Sequence, residues 1–399
     1  MTTHVEYWPV GQTVPVEHPL TADDISAHLA EDWLPSLALP VGSALLSWPA
    51  YLTQTIAISG MRQRLALRPE LGRTDRQWKI MLSWMIGAAA AREVLRSEGY
   101  DWIAPLSAFY KHSGNAVDIA SPHATFRQGT TTAEKDPKAD VNLMPDYIAS
   151  RRAPSGGHDE LVLVEAKGTR DNLKSMISAK PAWRKQSKNA IVMVNGQPYP
   201  VSRNIVVAAR VSPSGQTGRS RCIQIRAWNQ ARSDEGREQC FRSLTVDIAA
   251  AQLFGVCVNL GLERCAEAIS LATADRRDRA GKSLLESYRR STAQASEEAD
   301  LEVQETLGAV REPGDRWAAG RRILDSGQHR MEVRLEPATV SAIRILGSPS
   351  SINRVSDQLI YAEAELNGWR DRTKGDLQSN VDGRAYSSSG LTLQFDRRP

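Results

Sequence analysis

The sequence predicts an α/β protein: a mixed central sheet flanked by helices, with an N-terminal extension and a C-terminal helical plus β-rich accessory region. Three observations lead there. From Thr74 to Glu98, the residues Trp78, Met81, Leu82, Met85, Ala88, Ala89, Val94 and Leu95 recur near the 3.6-residue period of a helix that faces a core. Strand-like and helix-like pieces then alternate up to Trp228, the order of a sheet layered with helices. Within that order Leu161-Val162-Leu163-Val164 is an unbroken apolar run, as expected of a strand covered on both faces.

Taken in order, residues 1–70 are rich in proline and small residues, with a helix expected from Ala22 to Trp33 behind a Thr21 cap and an apolar segment near Leu45 to Ile58. We read this segment as an extension of unknown role. The core, 71–243, opens with the long helix, which Gly99 stops. Strands are expected at Tyr100 to Ile103, Ala116 to Ala120, Asp146 to Ile148 and Glu160 to Ala166, with a turn over Ser150 to His158 between the last two. A helix from Leu173 to about Met193, interrupted at Pro181, leads to strands at Asn204 to Val211 and Cys222 to Trp228. A helical region, 244–310, follows, with one helix from Val246 to Ala268 and a charged stretch from Asp275 to Glu302. Strand-like runs at Met331 to Leu335, Val340 to Ile345 and Leu391 to Phe395 make 311–399 a small β-rich accessory domain.

Composition narrows the class of protein without naming it. With 41% hydrophobic and 24% charged residues over 399 positions, the chain is that of an ordinary globular protein of two or three domains. A net charge of +4 and a pI near 8.9 are too mild to argue a nucleic-acid partner by themselves. Cys222, Cys240, Cys257 and Cys265 show no CxxC pair and no zinc-finger histidines, so reduced cysteines are expected. The start lacks the basic and apolar regions of a secretion signal, and no run reaches the ~20 apolar residues of a membrane span. A cytoplasmic protein without membrane contact is the expectation.

Chemistry concentrates at Pro145-Asp146 and Glu165-Ala166-Lys167. An acid-x-Lys triplet arises by chance about once in a chain of this composition, and Asp136-Pro137-Lys138 is such an accident. Its central proline and polar surroundings place it in a loop. Glu165-Ala166-Lys167 instead closes a buried strand, where alternation puts Glu165 and Lys167 on one face. Eighteen residues separate Asp146 from Glu165, enough for a hairpin that sets both carboxylates on neighbouring strands under ~5 Å apart. Two acidic oxygens suit a hard divalent cation, and a lysine can steady water or phosphate beside it.

The sequence PDYI, then LVEAKG after a turn, between a long helix and a following helix, resembles the PD-(D/E)xK nuclease superfamily, the restriction-endonuclease-like fold, over about Thr74 to Trp228. The resemblance implies Mg²⁺-dependent cleavage of a phosphodiester bond, with Mn²⁺ as a substitute. It makes Asp146 and Glu165 metal ligands, the backbone carbonyl of Ala166 a further ligand, and Lys167 the group that positions or helps deprotonate water. Many members add a polar residue on the next helix, for which Gln186 is the match. An acid on the first helix is common too; Glu93 is the candidate, although alanines 88–91 fill the turn where that acid is often found. A restriction or anti-phage setting in a bacterium follows by the same analogy.

From Lys167 to Arg226 twelve basic residues face the single acid Asp171, although the whole chain is nearly balanced. Such a run attracts a polyanion and releases its counterions. Arg170, Lys174, Arg184, Lys185 and Lys188 are the candidate nucleic-acid contacts, and DNA is the expected partner, with RNA or branched DNA left open. Trp183 is expected in the core. The competing reading is a catalytically silent nuclease-fold subunit that binds DNA or protein within a larger complex. A homodimer or partner proteins of a defence system remain open alongside it.

Overall fold

The computed structural model describes residues 2–21, 24–25, 27–29, 56–59, 64–67, 76–106, 117–120, 145–152, 159–169, 173–188, 191–194, 197–211, 223–231, 242–278, 285–307, 321–325, 330–377, 384–386 and 391–396. The chain divides into two compact units, Met1–Thr21 with Thr55–Leu244, and Ala22–Gln54 with Thr245–Pro399.

The first unit holds strands β1 (Thr2–Trp8), β2 (Val16–Thr21), β3 (Ile56–Ser59) and β4 (Arg64–Leu67), helix α1 (Arg76–Ser97), then β5 (Trp102–Pro105), β6 (Val117–Ala120), β7 (Tyr147–Arg151) and β8 (Glu160–Thr169). Helix α2 (Leu173–Lys188) is followed by β9 (Ile191–Val194), β10 (Gln197–Tyr199), β11 (Arg203–Arg210) and β12 (Gln224–Ala231). Seven strands form one sheet in the order β2-β1-β12-β11-β8-β7-β5. The pairs β1·β12 and β8·β11 are parallel and the others antiparallel, which makes the sheet mixed as the sequence predicted. Smaller sheets, β10-β9-β6 and β3-β4, complete the unit.

Two expectations are corrected here. Residues 1–70 are not merely an extension, because β1 and β2 extend the central sheet beyond β12. The helix expected to run to Met193 ends at Lys188, and Ile191–Val194 is strand β9, paired with both β6 and β10. A short apolar β-branched run satisfies either period, and pairing with two strands decides it.

Helix α1 is more deeply set than an amphipathic surface helix. Every residue from Met85 to Arg96 is buried, and the alanines at 88–91 let its backbone settle close to the sheet. Approach is closest against β8, where a Cβ on Gly168 would lie 2.1 Å from the Trp84 backbone nitrogen, and one on Gly87 would lie 2.8 Å from the Lys167 carbonyl oxygen. Only glycine fits either position. The helix ends in a Schellman motif: Gly99 (φ +81°) donates to the Arg96 carbonyl and Tyr100 to the Leu95 carbonyl.

Helix α2 covers the opposite face of the sheet. Its Met176 and Trp183 pack against Val206, Ala208 and Trp228, with Trp8 of β1 alongside, which places Trp183 in the core as expected. With helices on both faces, Leu161 to Ala166 of β8 are buried throughout, which explains their unbroken apolar reading. The start of β8 is locked by a polar cluster on the α1 face. Arg203 bridges Glu160 (2.7 Å) and Glu98 (3.1 Å), Arg151 Nε donates to Glu160 (2.6 Å), and the Tyr100 hydroxyl donates to Glu160 (3.1 Å). Burial pushes the Glu160 carboxyl up, but Arg203 and Arg151 outweigh it and hold the group below its ordinary range.

The second unit contains helices α3 (Arg242–Leu260), α4 (Glu263–Asp278) and α5 (Leu285–Leu307), strands β13 (Arg321–Asp325) and β14 (Arg330–Leu335), helices α6 (Pro337–Gly347) and α7 (Ile352–Leu377), and strands β15 (Arg384–Tyr386) and β16 (Leu391–Asp396). The helix expected from Val246 to Ala268 is two helices, because Gly261 takes φ +69° in a second Schellman motif. The Glu302 carboxylate then accepts from the Cys265 N–H at 2.8 Å and satisfies the new helix start. The strand expected at Val340 to Ile345 is instead helix α6. Its buried Thr339, Ala342, Ile343 and Leu346 follow helical spacing, and Pro337 suits the first turn. The C-terminal region therefore combines a sheet ordered β13-β14-β16-β15 with two helices and is not simply β-rich.

Candidate active site

Strand β8 carries the site because its two faces meet different neighbours. Ala166 and Gly168 face α1, while Glu165 and Lys167 point to the α2 side, as alternation requires. Register extends the pattern across the sheet. Tyr147 pairs with Val164 at the end of the antiparallel β7·β8 ladder, so Asp146, one residue before β7, comes close to Glu165, which follows Val164. The Asp146 N–H donates to the Val164 carbonyl at 2.9 Å, and the Ala166 N–H donates to Asp146 Oδ2 at 2.7 Å, which fixes this carboxylate on the strand end. Next to it, the Arg92 guanidinium lies 5.5 Å from the Tyr147 ring centroid and steadies the start of β7.

Glu165 is completely buried. Its carboxyl is pushed up to about 8, first by burial and then by the neighbouring Asp146, while the ion pair with Lys167 pulls the other way. Lys167, with 27% of its side chain exposed, reaches from solvent to Oε1 of Glu165, and Oε2 has no hydrogen-bond partner. A buried carboxylate oxygen left without a partner costs free energy unless a proton or cation completes it.

These residues fit a divalent cation. Glu165 Oε2 is open, Asp146 supplies a second carboxylate, and the Ala166 carbonyl faces the same side as its N–H, toward Asp146, because a strand residue directs both groups to one neighbour. All three are hard oxygen donors, suited to Mg²⁺ or Mn²⁺. Among the described residues no group of three or more His, Cys, Asp or Glu converges, so a cation here would rely on two carboxylates and the backbone.

The other predicted positions divide. Lys174 is exposed early in α2, and Arg184 is partly buried on the same helix. Gln186, Lys185 and Lys188 belong to α2, but their side chains, like the whole of Arg170 and the Asp136-Pro137-Lys138 triplet, lie outside the described residues. Glu93 does not join the site. Both its oxygens bind Arg96, at 2.8 and 2.9 Å, and it stands six residues, about 9 Å of helix, beyond the Gly87 contact with Lys167. Sequence reasoning missed the glycine pair Gly87 and Gly168 and the Arg92–Tyr147 contact. Gly168 directly after Lys167 was the available signal, since glycine weakens a strand unless a backbone must come close.

No protein-family model, characterised protein or solved structure matches the chain. Among the described residues no helix is long and apolar enough to cross a membrane.

Proposed function

We propose that this chain is a Mg²⁺-dependent nuclease of the restriction-endonuclease-like kind that hydrolyses phosphodiester bonds in DNA. One observation carries the reading: a wholly buried glutamate with an open oxygen, near Asp146 and ion-paired to Lys167, toward the end of a buried strand. Nothing in the packing of the sheet requires two acids and a lysine there, and burying Glu165 is costly. A bound Mg²⁺ supplies charge neutralisation at the phosphate and lowers the pKa of a coordinated water.

The chain's own residues then have separate tasks. Asp146 and Glu165 provide the carboxylates and the Ala166 carbonyl the neutral ligand. Lys167 neutralises Glu165 when the site is otherwise empty of charge, and otherwise its ammonium is free to hold the attacking water or a non-bridging phosphate oxygen. Gln186, a residue of α2, is proposed as the polar partner that orients water.

The decisive experiment incubates the protein with linear and circular duplex DNA, single-stranded DNA and RNA, in Mg²⁺, Mn²⁺ or EDTA, beside Asp146→Ala and Lys167→Ala. Metal-dependent cleavage by the native chain and its loss in both variants is expected. Cleavage that persists in both variants sinks the site assignment. Binding without cleavage on every substrate establishes the silent platform instead. Restriction or anti-phage defence, the proposed setting, is read by phage plating on cells that carry the chain or its Asp146→Ala variant.

A further inference from the structure

Register places two rows of side chains on the α2 face of the sheet. Glu165, Val206, Trp228 and Trp8 stand side by side on β8, β11, β12 and β1, and Lys167, Ala208, Arg226 and Glu6 form the next row. Trp228 is two strands from Glu165, about 10 Å at ordinary strand spacing. Above it, Lys180 of α2 brings its ammonium to 5.0 Å from the Trp228 ring centroid, while Arg226 lies over Trp8 at 5.2 Å.

The charges in this corner do not balance. Arg226 Nε holds Glu6 at 2.9 Å, but among the described residues no carboxylate pairs with Lys180 or Arg184. Arg184 Nε is buried without a hydrogen-bond partner. Partial burial and then the charges of Arg184 and Arg226 hold the Lys180 amine below the lysine range. Like charges four residues apart on a helix repel and lower its stability. Their convergence beside a nearly acid-free chain segment is therefore complementary to an anion on this face.

We propose that Lys180 and Arg184 form a phosphate subsite, which binds the nucleic-acid backbone at a phosphodiester neighbouring the one cut at Glu165 and Lys167. The inference rests on the nuclease reading for its ligand, and its position follows from the register. The guanidinium of Arg184 supplies a fork of donors and Lys180 a point charge, while Arg226, already occupied by Glu6, stiffens the aromatic floor beneath them.

The test is fluorescence anisotropy of labelled single-stranded and duplex oligonucleotides in EDTA or Ca²⁺ over a range of salt. The chains compared are the native protein, Lys180→Gln/Arg184→Gln, the charge-keeping pair Lys180→Arg/Arg184→Lys, and Arg264→Gln, an exposed cation of the other unit. Without its two phosphate-binding cations, the glutamine pair should bind roughly tenfold more weakly at physiological salt, and its slope of log K against log salt should flatten by about 1.8 for duplex or 1.4 for single strands. The charge-keeping pair and Arg264→Gln should keep the native slope, which separates charge from folding. An unchanged slope in the glutamine pair, or no nucleic-acid binding by the native chain, overturns the subsite. A flattened slope with no metal-dependent cleavage keeps the subsite and removes the nuclease reading.

Discussion

Glutamine at position 165 removes a charge that the metal-free fold holds at a cost, and the pH dependence of stability measures that cost. The Glu165 carboxyl is pushed from 4.5 to about 8 in the folded chain. Between those values the folded state keeps a proton that the unfolded state has lost, so stability falls as pH rises through the window. A difference of about 3.5 pKa units at 1.36 kcal/mol each sets a ceiling of about 5 kcal/mol lost between pH 4 and pH 9. Urea unfolding at about pH 5 and about pH 9 in EDTA should show the native chain losing several kcal/mol relative to Glu165→Gln, with histidine titrations common to both cancelling in the difference. Excess Mg²⁺ at the higher pH should restore the native chain, by about 2.7 kcal/mol at a hundredfold excess over Kd, and leave the variant unmoved. An identical pH slope in the two proteins would refute the reasoning, because it would mean that Glu165 ionises freely in the fold.

Three further outcomes are expected. Gly168→Ala puts a Cβ 2.1 Å from the Trp84 nitrogen, where contact needs at least 3.4 Å; the forced shift of about 1.3 Å should lower cleavage on the order of a hundredfold and stability by about 1–3 kcal/mol, read by kcat and thermal unfolding. Arg203→Ala removes the guanidinium that bridges Glu160 and Glu98, leaving Glu160 to Arg151, and should cost about 2 kcal/mol in urea unfolding, with Mg²⁺ affinity by calorimetry unchanged because the cluster sits at the far end of β8. Gly261→Ala forces a side chain into φ +69° and should lower the unfolding midpoint of the second unit by the equivalent of about 1 kcal/mol.

What the sequence disclosed depended on whether the cause was local. Strand β8 was legible because burial on both faces writes itself as consecutive apolar residues, and the pairing of Glu165 with Lys167 follows from alternation alone. Asp146 could be set near Glu165 because a short gap permits a hairpin, and β7·β8 is antiparallel. The place of β1 was not legible. Its partner is β12, and a parallel pairing across the chain leaves no periodic mark in either segment. Val340, Ile343 and Ile345 suggest a strand because β-branched residues favour strands locally, whereas burial at helical spacing in α6 overrides that preference. The break at Gly261 turned on one backbone angle inside an otherwise continuous apolar helix. Around Glu165 and Lys167 the strand and its alternation were readable and their support was not, since the close approach at Gly87 and Gly168 is made by a backbone far away in sequence.

The parallel pairing of β1 with β12 also sets a schedule for assembly. Trp8 pairs with Trp228, so 220 residues must be made between the two halves of that ladder. At ribosomal rates of about 5–20 residues per second, β1 waits roughly 10–45 seconds for its partner. During that interval β2 is its one strand partner among the described residues, and long-range pairings of this kind form late because loop closure must come first. The row that ends in Trp8 is thus among the last parts of the sheet to close. A chain released before residue 231 would keep its carboxylates and lysine yet leave the β12 side of the sheet unfinished, with β11 presenting an unpaired edge to other chains.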